Sequence, residues 1–105
     1  MYSGDNLLYV LTMLEAAEKV DQYTARFQSA ESFFEEEDQL YFHAVTHLLL
    51  AIGEESKKLD DGLKQKFSGV PWKSIAGMRN RLAHDYRGID YHMVFSVARQ
   101  DLYTL

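Results

Sequence analysis

The apolar residues of this 105-residue chain return every third or fourth position along almost its whole length, and only one proline interrupts them. That spacing follows the turn of an α-helix and not the alternation of a strand, so an all-α fold is expected. Leu7, Val10, Leu11, Leu14, Ala17 and Val20 form a first stripe and predict a helix from about Asp5 to Phe27. Ser29 to Asp38 breaks the pattern and reads as a connector whose short helical turn is anchored by Phe33 and Phe34. Tyr41, Ala44, Val45, Leu48, Leu49 and Ile52 mark a second long helix, which fades after Leu59 at Asp60-Asp61-Gly62. Ser68-Gly69-Val70-Pro71 is the clearest break, and a proline suits the first turn of a helix because its missing N–H would have no partner there. The third helix then starts near Trp72, runs through Ile75, Ala76, Leu82 and Ala83, and is expected to loosen between His84 and Gly88. Gly88 suits a left-handed helix end, and Asp90 suits the cap of a fourth helix carrying Met93, Val94, Val97, Ala98 and Leu102. Four helices result, and with no internal repeat and no linker long enough to separate domains a single domain over residues 1–105 is expected.

Several function classes drop out early. A chain of this length has room for one core, and without cysteine it has neither disulfides nor thiolate sites. The most apolar stretch, Tyr41 to Gly53, contains His43, Thr46 and His47 and is too short to cross a bilayer. Asp5 stands where a signal peptide would carry basic residues, so a soluble cytoplasmic domain with no membrane contact is expected. The net charge of −5 conceals an asymmetry: residues 1–63 carry 4 basic and 13 acidic side chains, whereas residues 64–105 carry 7 basic and 3 acidic. The acidic front half argues against nonspecific coating of nucleic acid. Arg79, Arg81 and Arg87, within nine residues, offer either a local phosphate site or a solvated helix face.

On a helical wheel Arg79 falls in the middle of the third helix's apolar stripe, three or four positions from Ile75, Ala76, Leu82 and Ala83. A guanidinium aimed inward requires either a carboxylate, Glu54 or Glu55 being nearest by topology, or a wet cleft. His84 follows five residues later, where a loosening helix would let its side chain turn back toward the arginine. An imidazole takes or gives a proton near neutral pH, and an arginine fork holds phosphate oxygens through paired bonds. Together they suit phosphodiester chemistry, although a histidine at a helix end also serves as a plain cap or surface residue.

Arg79-Asn80-Arg81-Leu82-Ala83-His84-Asp85-Tyr86 reads R-N-x-x-x-H-x-Y, and here the chain resembles the HEPN-domain proteins of the HepT type. Arg79, Asn80, His84 and Tyr86 match that family's ribonuclease motif one by one. Ile52-Gly53-Glu54, Val70-Pro71-Trp72, Met78 and Gly88-Ile89-Asp90 are similar to its landmarks, so the likeness runs over the whole chain, with an early stop at Leu105. The resemblance implies a compact four- to five-helix bundle that pairs as a symmetric homodimer and brings two copies of the motif to one cleft, and a metal-independent endoribonuclease needing no cofactor. His84 would act as general base or acid, Arg79 would clamp the scissile phosphate, Asn80 would orient phosphate or sugar, Arg81 and Arg87 would bind RNA, and Glu54 would support the site. Cleavage through the 2′-hydroxyl would leave a 2′,3′-cyclic phosphate. The resemblance further implies a toxin of a type VII-like toxin–antitoxin pair, silenced when a partner nucleotidyltransferase of the MntA kind attaches AMP to Tyr86. An adenylate there would offer Arg79 a competing phosphate.

Other candidates read more weakly. His43 and His47, four apart, suit a shared metal ion but lack a third ligand nearby, and His92 reads as a surface residue. Glu35, Glu36, Glu37 and Asp38 read as a solvated run, because consecutive acids do not converge on one ion. Trp72 and the tyrosines either stack bases or pack a core or dimer interface. The alternative to a nuclease is a non-catalytic helical adaptor that uses the same arginine to bind RNA, nucleotide or a nucleotidyltransferase.

Overall fold

A computed structural model describes residues 5–84 and 90–99. In chain order these form α1 (Asp5–Thr24), α2 (Ala30–Glu35), a 3-10 turn (Glu36–Gln39), α3 (Leu40–Lys57), α4 (Asp61–Lys66), α5 (Trp72–His84) and α6 (Tyr91–Arg99). No strand occurs among the described residues. The expected roles of Gly88 and Leu102 fall outside them.

Local chemistry sets the ends of these elements. α1 stops at Thr24, earlier than the expected Phe27, because the buried Thr24 hydroxyl donates to the Val20 carbonyl at 2.8 Å and the next turn tightens through Phe27 N–H to Thr24 O. Ser29 caps α2, its Oγ accepting from the Ser32 N–H at 3.1 Å. Glu37, Asp38 and Gln39 then take positive φ values of 51°, 54° and 68°. This left-handed run, unusual without glycine, turns the chain into α3 while the acids remain in solvent. Pro71 stands just before α5, its carbonyl accepting the Ile75 N–H at 3.0 Å, and Asp90 caps α6 through the His92 N–H at 2.9 Å.

α3 is the central element: it packs along α1 on one side and α5 on the other, while α2 and α6 close the remaining face. Val20, Phe33, Val45, Leu49, Ile52, Leu82 and Val94 make the fully buried core. Removing each large apolar side chain from water contributes about 1.5–3 kcal/mol. Arg99 ties α6 to α1 by donating to Asp21 Oδ1 at 2.9 Å and Thr24 Oγ1 at 3.3 Å.

Three expectations need correction. Leu7, Leu11 and Leu14 belong to the predicted apolar stripe of α1, yet they are 52–65% exposed, and Leu8 with them; the buried line runs instead through Asn6, Ala16, Val20 and Thr24. Ala83, also placed on an apolar stripe, is exposed on α5. The segment after Asp60 is helical: α4 folds back and is fastened by the Trp72 indole N–H, which donates to the carbonyls of Lys64 and Phe67, both at 3.1 Å.

Candidate functional site

The site is built on the α3–α5 contact. Ile75 and Leu82 are buried on α5, and Arg79, one helical step from each, is drawn toward α3 with a side chain that keeps 21% of its surface in solvent. Its Nε donates to Glu54 Oε1 of α3. Its Nη1 donates to Asn80 Oδ1 at 3.1 Å. Nη2 makes no hydrogen bond among the described residues. Glu54 is 43% exposed, so the arginine has both a carboxylate partner and contact with water. Glu55, the other sequence candidate, turns to Lys58 at 3.2 Å.

His84 is the last residue of α5, and its side chain is exposed. His84 therefore stands at the end of the helix, where the sequence placed it, and residues 85–89 of the expected loosening lie outside the described residues. Five residues at about 100° per residue place His84 about 140° around the helix from Arg79. Within one chain the two side chains thus leave α5 on different faces. Asn80 stands between the two: it accepts from Arg79, is itself exposed, and lies one helical turn before His84. Arg81 is exposed three residues before His84 on the same helix. Tyr86 and Arg87, both site candidates, lie outside the described residues.

The other sequence candidates are not brought together. His43 and His47 are exposed on α3, and among the described residues no three histidine, aspartate or glutamate side chains converge to hold a metal. His92 is on the surface, 3.4 Å from Glu31. No helix among the described residues is long and apolar enough to cross a membrane. A feature missed from the sequence is a cavity of about 290 Å³ among α1, α3, α4 and the start of α5, lined by Val10, Met13, Ala17, Leu63, Phe67 and Trp72. None of these side chains transfers a proton or holds a phosphate. The sequence signal that could have found it is the apolar pair Leu63 and Phe67, four apart and just before Trp72.

The model of the ribonuclease HepT-like family matches residues 13–105, a span that contains the whole α3–α5 site. The chain is similar to "Putative RNase MJ1380" of Methanocaldococcus jannaschii, 31% identical over 102 residues that cover 97% of this chain and 91% of that protein. It is also similar to "Probable ribonuclease HepT" of Thermococcus cleftensis, 28% identical over 97 residues covering 92% and 86% of the two chains. A shorter likeness, 38% over 60 residues covering 57% and 50%, joins it to "Putative RNase MJ1216" of Methanocaldococcus jannaschii. No solved structure matches the chain significantly.

Proposed function

The chain belongs to the ribonuclease HepT-like family, and from that premise we infer that it is an endoribonuclease, one that works without a metal, as a homodimer, with Arg79 and His84 as its reacting groups. The observation that carries this reading is the state of Arg79: a cation set among apolar neighbours, with two nitrogens engaged by Glu54 and Asn80 and 21% of its side-chain surface in solvent. Such a fork is positioned before substrate arrives, which lowers the cost of ordering it around a phosphate.

In the proposed reaction an imidazole takes the 2′-hydroxyl proton, the 2′-oxygen attacks phosphorus, and the bond to the 5′-oxygen breaks. The 5′-oxygen leaves with a proton, and the second product ends in a 2′,3′-cyclic phosphate. Arg79 neutralises charge growing on the non-bridging oxygens, and Asn80 holds the fork while offering its amide to phosphate or sugar. The angle between Arg79 and His84 on α5 supports pairing, because a second subunit can present its own His84 to an arginine that its own chain cannot serve. The partner subunit's His84 then supplies the acid that one imidazole cannot supply while acting as base. Arg81 and Arg87 would hold flanking phosphates. The wider setting we infer is a toxin whose nuclease is silenced when a nucleotidyltransferase attaches AMP to Tyr86, in the cytoplasm.

An RNA oligonucleotide carrying one 2′-deoxy residue at a mapped cleavage position tests the chemistry. Cleavage at that position should stop, and the all-RNA control should yield cyclic phosphate ends. Equal cutting of the deoxy position would rule the route out. The adaptor reading draws on one observation, the charge pairing of Arg79 with Glu54. It predicts RNA binding that survives while no cleavage is ever seen.

A further inference from the structure

α3 has no side chain at the point where Arg79 crosses it. Gly53 is buried there, and a Cβ built on it would overlap the Cβ of Arg79, stand 2.8 Å from its Cγ and 3.4 Å from its Cα. Cα and Cβ are set by the α5 backbone, so no rotation of the side chain relieves the overlap at Cβ. The α3 backbone is held as well: the buried Ser56 hydroxyl donates to the Gly53 carbonyl at 2.8 Å. The next residue, Glu54, is the one that receives the Arg79 Nε–H. One residue therefore sets how closely α5 approaches, and its neighbour orients the guanidinium at that distance.

We propose that Gly53 is a positioning residue for the phosphate-binding fork: its missing side chain fixes the α3–α5 separation at which Arg79 meets Glu54 and still reaches solvent. The proposal rests on the ribonuclease reading for its functional consequence, but its structural part is read without any assay of activity. Restoring ordinary carbon contact of about 3.5 Å after Gly53→Ala requires α5 to move by about 1 Å. A misplacement of that size costs about 100-fold in turnover when it falls on a group that must meet a transition state.

The test combines the side-chain Nε–H signal of Arg79 in a nitrogen-15 NMR spectrum, assigned with Arg79→Lys, and steady-state cleavage of a short RNA. In the wild type the Nε–H should be shifted and slow to exchange through its bond to Glu54. Gly53→Ala should retain a folded backbone spectrum, lose that signature, and lower kcat about 100-fold with KM changed less than about 3-fold. An unaltered Nε–H signal in Gly53→Ala would overturn the proposal. So would a lost signal with normal turnover while Arg79→Ala is inactive. If Arg79→Ala cleaves as well as wild type, the nuclease role of the arginine fails instead, and the spectrum still judges the contact. Should Gly53→Ala not fold, it is repeated with Gly77→Ala, a change on the open face of α5. A chain unfolded in both backgrounds would show that the contact serves the whole fold, and would also overturn the proposal.

Discussion

A guanidinium among Ile75, Leu82 and the stem of α3 is stable here because a carboxylate and water share it. Glu54 is nearly half exposed, so the ion pair itself adds little to stability. Glu54→Ala should therefore lower the unfolding free energy by no more than about 1 kcal/mol, measured by urea titration, while reducing cleavage by releasing the Nε edge of the fork. The two glycines beside this arginine behave oppositely. Gly53 is closed by Arg79, whereas a Cβ on Gly77 would meet nothing within 4 Å. Gly77→Ala should raise stability by about 0.5–1 kcal/mol, since alanine fits an exposed helix interior better and restricts the unfolded chain. A fall in the urea midpoint would show that the α5 backbone is not the regular helix described. Sequence alone does not separate these glycines, because each sits in a helical pattern and only the partner 26 positions away distinguishes the first.

At the scale of elements, the helical period located α1, α3, α5 and α6 because each is long enough for its stripe to repeat. It also brought Arg79 inward and nominated Glu54. It failed at α4, where the six residues Asp61–Lys66 are too few to show a period and the helix is held from outside by the Trp72 indole. It failed on the face of α1, since a row of leucines states only that a surface is apolar and not that this chain covers it. The end of α5 at His84 was legible, because the apolar stripe of the third helix runs out at Leu82 and Ala83. Leu82, 1% exposed on the inner face of α5, gives this scale its prediction. Leu82→Ala should cost about 2–5 kcal/mol of unfolding free energy, because the site helix loses its deepest contact. Trp72→Phe should cost about 1 kcal/mol and speed amide exchange in residues 61–67, since it removes the N–H that fastens α4.

For the whole molecule, the proposed mechanism needs a second subunit, because it asks for an acid and a base where one chain supplies a single His84. Leu7, Leu8, Leu11 and Leu14 leave apolar area in solvent of the kind that subunit or partner contacts cover. Sedimentation should accordingly give twice the chain mass, and cleavage per subunit should fall on dilution once the dimer separates. The measurement closest to the central claim is RNA cleavage in excess chelator by the wild type, Arg79→Ala and His84→Ala at equal dimer concentration. The account predicts full wild-type cleavage with the metal removed and a loss of about 100-fold or more in each variant. Wild-type activity abolished by the chelator, or three proteins that cut alike, would contradict it.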